Sequence, residues 1–248
     1  MSQDFAGKVV LITGGSRGLG HAMALGFARA GAIVAVASRK LAACEETVAE
    51  IVALGARGSA HACHVANWAD CDRLADEVLA RWGRVDVLIN NAGMSPVAPS
   101  SLDTSEELYD KVLGVNLKGP FRLTARLGTH MAAHGGGAVI NVSSIAAIRP
   151  TPWVAPYAAA KAGLNALTVA FSKEFGPAVR VNCIMCGPFR TDVSRGWYNE
   201  AWKEAAKKDV ALGRAGEAEE VVGAALYLAG PGASYTTGAV LTIDGGAS

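Results

Sequence analysis

KVVLITGGSRGLG, residues 8 to 20, is the stretch whose reading decides the fold. Lys8 to Ile12 is a short run of β-branched and large apolar residues. It stops at Thr13-Gly14-Gly15-Ser16-Arg17-Gly18-Leu19-Gly20, and the following HAMALGFARAG has helical composition. The order is strand, glycine-rich turn, helix. Glycines at 14, 18 and 20 permit positive φ and lack the Cβ atoms that would keep a backbone from approaching a diphosphate. The helix N-terminus adds free N–H groups and the positive end of a dipole. The spacing is GxxxGxG rather than the commoner GxGxxG, but its place at the start of an alternating βα chain reads as a dinucleotide site.

Moving outward, the next strand, AIVAVAS, ends at Ser38-Arg39-Lys40. An acidic side chain near this point would accept from an adenosine ribose, whereas arginine suits a 2′-phosphate. No Asp or Glu stands here, and Arg39 with Arg17 can clamp a phosphate, so NADP(H) is expected over NAD(H). A helix (LAACEETVAEIVALG), the strand SAHACHV, a helix (DCDRLADEVLARWG) and the strand VDVLI follow, closed by Asn90-Asn91-Ala92-Gly93. This rhythm predicts a parallel sheet covered on both faces, with Asn91, Ala92 and Gly93 at a carboxyl end where open α/β sheets hold ligands. His61, Cys63 and His64 alternate across the SAHACHV strand, so one face supplies too few ligands and no metal is expected.

From Ser105 a long helix is expected to carry Asn116, a polar residue among apolar neighbours that must find hydrogen-bond partners. Lys118, Arg122 and Arg126 share a face of that helix and read as solvated charges. GAVINVS and VRVNCIMC are the fifth and sixth strands, and AVLTI the seventh. Residues from about 188 to 216 have poor strand character and three clustered aromatics, Trp197, Tyr198 and Trp202, so they read as a substrate lid or a subunit contact.

Between the fifth and sixth strands, SSIAAIRPTPWVAPYAAAK runs from Ser143 to Lys161. Tyr157 and Lys161 are four residues apart, one helical turn, so an ammonium can stand beside a phenol and favour phenolate. Such a tyrosine can act as an acid or a base. Ser144 sits where the strand enters a turn, with a hydroxyl able to bond a substrate oxygen. Read alone, YxxxK is a weak pattern and more often an ordinary exposed helix pair.

The 248 residues, 51% hydrophobic, suffice for one α/β domain, and no linker divides them. A formal charge of +1 gives no reason to invoke nucleic acid or an anionic membrane surface. No apolar run approaches the roughly 20 residues of a membrane helix. Ser2 stands where myristoylation needs glycine, and five cysteines without a signal peptide read as reduced thiols of a cytoplasmic protein.

Taken together, TGGSRGLG, NNAG, Asn116, Ser144, YAAAK and the terminal VLTIDGG make the chain resemble the short-chain dehydrogenase/reductase family over essentially its whole length. The resemblance implies a single Rossmann-type domain with a doubly wound, seven-stranded parallel sheet and a tetrad of Asn116, Ser144, Tyr157 and Lys161. Tyr157 would be the general acid in ketone reduction and the base in alcohol oxidation, and Ser144 would polarise the carbonyl. Lys161 would depress the tyrosine pKa and bind the nicotinamide ribose, and Asn116 would hold a water linking Lys161 to solvent. The cofactor would lie along Gly14, Ser16, Arg17, Gly18, Leu19, Gly20, Ser38, Arg39, His64, Val65, Asn91, Ala92, Gly93, Tyr157, Lys161, Gly187, Phe189 and Thr191. Two departures stand out: His64 replaces the family's usual Asp, and Cys186-Gly187 its Pro-Gly, which would put Cys186 toward the cofactor or substrate side. Ser144, Met94, Ser95, Trp153, Trp197 and Trp202 are the expected substrate walls. A 3-oxoacyl thioester is the first substrate class, with a sugar acid or small cyclic alcohol handled through NAD(H) as the alternative. An NADP-sensing or scaffold protein is the non-enzymatic one. Family habit implies a homotetramer. Replacing Arg39 by Asp is expected to weaken NADPH binding far more than NADH binding in fluorescence titrations; equal losses would contradict the phosphate clamp.

Overall fold

The computed structural model describes residues 5–192, 194 and 198–247. In chain order its strands are β1 (Val9–Thr13), β2 (Ile33–Ser38), β3 (Arg57–Ala62), β4 (Val87–Asn90), β5 (Gly137–Ser144), β6 (Val179–Cys186), β7 (Phe189–Arg190), β8 (Gly216–Glu217) and β9 (Val240–Ile243). Seven of them form one sheet in the order β3-β2-β1-β4-β5-β6-β9, with every pairing parallel. The chain starts in the middle, at β1, runs out to β3, and returns to β4 on the other side of β1. The carboxyl ends of β1 and β4 therefore flank the switch point where a doubly wound sheet opens its crevice.

All five β1 residues are buried. Successive side chains point to opposite faces, so Val10 and Ile12 join one core with Val34, Val36, Ile89 and Phe27. Val9 and Leu11 join another with Ile33, Leu74, Val78 and Leu127. Burial on both faces is why the strands read as continuous apolar runs rather than alternating ones. The helices are α1 (Gly18–Arg29), α2 (Leu41–Ala53), α3 (Trp68–Trp82), α4 (Glu106–Leu113), α5 (Gly119–Ala133), α6 (Ala155–Glu174), α7 (Glu200–Asp209) and α8 (Val222–Ala229). Asn67 caps α3 by accepting from Ala69 N and Asp70 N, and Ser105 caps α4 by accepting from Leu108 N.

Four local expectations change. First, β3 starts at Arg57 and ends at Ala62, so Cys63 and His64 lie in the turn beyond it. His61 meets Ser59 Oγ at 2.9 Å and Glu77 Oε2 at 3.0 Å. Second, the long helix after Ser105 is interrupted by a π-helical turn, Gly114–Lys118, between α4 and α5. The interruption has a steric setting: a Cβ on Gly119 would stand 2.4 Å from Val65 O, and one on Gly114 2.9 Å from the Ala66 methyl. Third, Arg122 and Arg126 are paired rather than simply solvated. They reach Asp72 at 2.6 Å and Asp76 at 2.5 Å on α3, one helical turn matching another. Fourth, the 188–216 segment holds β7 and β8, which pair in parallel and join the segment's two ends, with α7 between them.

Beneath the β4–β5 carboxyl ends runs a chain of buried amides and hydroxyls. Asn90 Nδ2 donates to Thr124 Oγ1 and to Asn141 Oδ1, each at 2.9 Å. Asn141 Nδ2 donates to Thr168 Oγ1 at 2.9 Å, and that hydroxyl donates to Leu164 O. The network ties β4 and β5 to α5 and α6. Asn141→Ala removes one bond from each of two buried partners, Asn90 and Thr168, which keep their bonds to Thr124 Oγ1 and Leu164 O, and is expected to cost about 1–3 kcal/mol at about 0.5–1.5 kcal/mol for each bond. Urea unfolding measures this, and a loss below about 0.5 kcal/mol, less than one net hydrogen bond, would show that the network does not hold these four elements together.

Candidate active site

The glycine turn sits at the end of β1 and opens α1. Gly14 has φ +64° and Gly18 φ +54°, a region open chiefly to glycine. A Cβ on Gly20 would lie 2.2 Å from Gly14 O and 2.5 Å from Asn91 Nδ2, so any other residue would push the turn out of place. Arg17 takes the N-cap position with extended backbone and no side-chain cap, and α1 has no acidic residue in its first turn. Its N-terminal N–H groups and dipole are thus left for an anion. Ser16 and Leu19 are half-buried beside this turn, and Arg17 is exposed. The cradle fits a dinucleotide's diphosphate.

Thr13, which the sequence reading did not single out, stitches this turn to β4. Its hydroxyl donates to Ile89 O at 3.3 Å and accepts from Asn91 N and Ala92 N, both at 3.1 Å. Asn91 Nδ2 donates back to Thr13 O at 2.9 Å and Gly14 O at 3.2 Å. A threonine ending a strand gives no local signal of such a bridge; only the β1–β4 pairing reveals it. At the other end of the crevice, Ser38 Oγ donates to Lys40 O and meets Cys44 Sγ at 3.0 Å, while Arg39 is exposed. His64 is half-buried and Val65 buried. The His64 backbone N–H donates to Asp70 Oδ2 at 3.0 Å, and with Arg73 it holds the Asp70 carboxyl below its usual range.

Asn116, Ser144, Tyr157 and Lys161 come together past the carboxyl ends of β4 and β5. Asn116 lies in the π-helical turn, fully buried. Its Nδ2 donates to Met94 O at 2.8 Å and Val112 O at 2.9 Å, and its Oδ1 accepts from Met94 N at 3.3 Å. A Cβ on Gly93 would stand 3.0 Å from Asn116 Oδ1 and 3.7 Å from Lys161 Nζ, so these three residues share one small volume. Ser143 and Ser144 part ways. Ser143 is buried with its hydroxyl on Lys161 O, while Ser144 is half-buried and accepts from Ala146 N at 3.2 Å. Tyr157 stands in the first turn of α6 behind Pro156, with Lys161 Nζ 5.7 Å from its ring centroid.

Electrostatics here differ from expectation. Burial pushes the Tyr157 phenol up; its hydrogen bond with Ser144 opposes this, and Cys186 raises it slightly further. Lys161 does not set the balance, because its own ammonium is only 4% exposed, donates to Val142 O at 2.7 Å and is itself disfavoured, its pKa lowered by burial to about 8. Cys186, expected toward the cofactor or substrate side, is part of the core, its thiol pushed up to about 12 by burial.

On the far wall, a Cβ on Gly187 would strike Asp244, and the buried Phe189 ring lies against Gly216. Thr191 packs 3.3 Å from where a Gly18 Cβ would stand, and a cavity of about 460 Å³ lies between Gly18, Thr191, Ser194 and Tyr198. Met94 and Ser95 are half-buried. Trp153 is 56% exposed and its carbonyl accepts from Ala98 N at 3.2 Å, which ties the 94–98 loop to the entrance of α6. Trp202 and Ile145 pack on Ala206, Val210 and Ala247, placing α7 against the turn that follows Ser144. Trp197 lies outside the described residues.

Lys161 makes a pH prediction. Its folded value lies below the ordinary 10.5, so between about 8 and 10.5 the unfolded chain binds more protons than the folded one, and stability rises with pH there. Relative to Lys161→Met, the wild-type protein should gain stability from pH 8 to pH 10 in urea unfolding; a flat or falling difference would contradict the buried ammonium.

Against this geometry the comparisons are consistent. A family model described as enoyl-(acyl carrier protein) reductase matches residues 14–248. The human dehydrogenase/reductase SDR family member 4 is 36% identical over 243 residues, 97% of this chain and 87% of that protein. The 3-oxoacyl-[acyl-carrier-protein] reductase of Thermotoga maritima is 36% identical over 241 residues, 97% of each. The crystal structure of an NADPH-dependent 3-quinuclidinone reductase from Rhodotorula rubra superposes with a TM-score of 0.91 at 32% identity, covering 99% of this chain and 92% of that one. With a nicotinamide-binding fold and relatives that act on CH–OH and C=O groups, this chain belongs to the short-chain dehydrogenase/reductase family of oxidoreductases.

Proposed function

We propose that this oxidoreductase uses NADP(H) to interconvert a ketone and a secondary alcohol, with Tyr157 as the proton-transferring group. The observation that carries the reading is the convergence of Ser144, Tyr157 and Lys161 at the crevice mouth, next to the glycine cradle. The nicotinamide, when bound, supplies or accepts the hydride. Gly14, Ser16, Gly18, Leu19 and Gly20 hold its diphosphate end, Ser38 and Arg39 with Arg17 its 2′-phosphate, and His64 and Val65 its adenine. Asn91, Ala92, Gly93, Lys161, Gly187, Phe189 and Thr191 hold the nicotinamide half. His64 can accept from the adenine amine only through a neutral ring nitrogen.

In the reductive direction Tyr157 gives its proton to the developing alkoxide, and Ser144 donates a hydrogen bond to the same oxygen. A phenol whose pKa is raised by burial keeps that proton until it is needed. Lys161 brings a positive charge one turn away, which favours the phenolate left behind, and its ammonium binds ribose hydroxyls. Asn116 fixes the Met94 backbone and holds the water through which Lys161 is reprotonated.

The segment 188–216 serves as the lid of this single domain, 1–248. Its two ends are clamped by β7 and β8, and α7 leans on Ile145. Met94, Ser95, Trp153, Trp197 and Trp202 form the substrate walls. Exposed Trp153 supports an apolar substrate, and Arg190, paired with Glu217 at 2.6 Å, is already neutralised against a sugar acid. A 3-oxoacyl thioester is the first substrate to try, by analogy with the Thermotoga maritima relative. Five free cysteines support a reducing, cytoplasmic setting. The partly exposed rings of Trp68 and Phe121, 6.1 Å apart, support a subunit contact within a homotetramer. Tyr157→Phe should lower turnover with any accepted ketone at least about a hundredfold while NADPH binding is retained; unchanged turnover would refute the role of Tyr157.

A further inference from the structure

The turn that carries Ser144 and the far end of the 188–216 segment are remote in sequence, yet both are fastened to the four residues that follow β9, 244–247. Ala211 N donates to Gly246 O at 3.1 Å and Leu212 N to Gly245 O at 3.0 Å, and Val210 bridges Ala247 in antiparallel fashion. One residue before the segment begins, Gly187 N donates to Ile243 O at 2.9 Å. Gly245 and Gly246 have φ +68° and +72°, and a Cβ on Gly246 would stand 2.7 Å from the Ala211 methyl, so glycine is what lets the two backbones approach this closely. Gly246 N donates to Asp244 Oδ1 at 2.9 Å, which fixes the bend of the strap.

Arg149 joins this strap to the serine turn. Its backbone N–H donates to Ile145 O at 2.8 Å and closes the turn in which Ser144 Oγ accepts from Ala146 N at 3.2 Å. Its guanidinium donates to Ala247 O, with Asp244 Oδ2 3.9 Å from the same nitrogen. The carbonyl bond is charge-assisted and directional, whereas the partly exposed ion pair is long and screened, so the carbonyl carries the placement. Ile145 packs with Trp202 on Ala206, Val210 and Ala247, so the turn also leans on α7 and on the strap. Nothing in the proposed hydride-transfer chemistry uses Arg149.

We propose that Arg149 is a positioning residue: through residues 244–247 it ties the Ser144 turn to the far end of the 188–216 segment, so that the serine hydroxyl and the substrate cover are set together. This rests on the roles proposed above for Ser144 and for that segment. Arg149 itself touches no reacting atom. A substrate that draws the segment in moves residues 210–212, the strap passes the movement to Ala247 O, and the guanidinium carries it to the turn whose shape aims the Ser144 hydroxyl. A hydroxyl misplaced by about 1 Å at a reacting oxygen can cost about a hundredfold in rate, so a bond this far from the chemistry has leverage on it.

The test compares wild type, Arg149→Ala, Ser144→Ala and the double variant. In hydrogen exchange of the cofactor-free protein, Arg149→Ala is expected to speed exchange of the Ala211 and Leu212 amides at least about fivefold, the low end for coupling between sites, with residues 14–20 unchanged. In the reduction of acetoacetyl-CoA with NADPH it is expected to lower kcat/KM at least about tenfold, but less than about twofold once Ser144 is alanine, the scatter of independent sites. NADPH affinity, titrated by fluorescence, stays the same in all four proteins. A merely structural role would lower kcat/KM equally in both backgrounds, and that result, or unchanged exchange at 211 and 212, overturns the proposal. Unchanged turnover in Ser144→Ala, or no turnover of acetoacetyl-CoA by wild type, would instead overturn the reading of the serine or of the substrate, and the exchange result then decides the strap by itself. Arg149→Met, which keeps the apolar stem and removes only the donor, is read the same way if Arg149→Ala folds poorly.

Discussion

The Lys161 ammonium is 4% exposed and, among the described residues, pairs with no carboxylate; it donates instead to the backbone carbonyl of Val142 at 2.7 Å, and its pKa falls to about 8. Burying a cation this way is costly, and much of the surrounding structure serves to hold it there. Ser143 takes the Lys161 carbonyl, Gly93 leaves room beside the Nζ, and Asn116 secures the backbone of Met94 next to it. The result is a positive charge in a low-dielectric setting, one helical turn from a phenol whose own ionisation is opposed by burial. Burial opposes the charged form of both groups, each on its own account.

The sheet delivers these groups to one place. β1 and β4 end beside each other at the switch point, and Thr13 and Asn91 lock their ends together through side-chain to backbone bonds. β5 pairs in register with β6, so Ser144 lies opposite Cys186 at the carboxyl ends of two core strands. The Asn90–Asn141–Thr168 amide chain sits directly beneath, which gives the site a rigid floor. Above it, β7 and β8 pair with each other outside the seven-stranded sheet.

The sheet and its glycine turn were legible because their signals are local: apolar runs with the period of a buried strand, and glycines at positions where a Cβ would collide. The proximity of Tyr157 and Lys161 followed from helix spacing alone. What stayed hidden depends on partners distant in the chain. The π-helical turn at Gly114–Lys118 has the composition of ordinary helix, and its steric setting is the Val65–Ala66 turn about fifty residues earlier. Arg122 and Arg126 looked solvated because Asp72 and Asp76 lie fifty residues away. The upward push on the Tyr157 phenol was missed for a similar reason: spacing reveals a neighbouring cation but not how deeply both groups are buried. Two-residue strands such as β7 and β8 have no pattern to detect.

The central claim is hydride transfer between a nicotinamide and a carbonyl carbon at the Ser144–Tyr157–Lys161 mouth. Reduction of an accepted ketone with NADPH carrying deuterium on a single face of C4, analysed by NMR of the alcohol, tests it directly. Deuterium on the carbinol carbon from one face and not the other is the predicted result. Label retained in the cofactor with both faces, or a carbinol hydrogen drawn from solvent, would contradict the account.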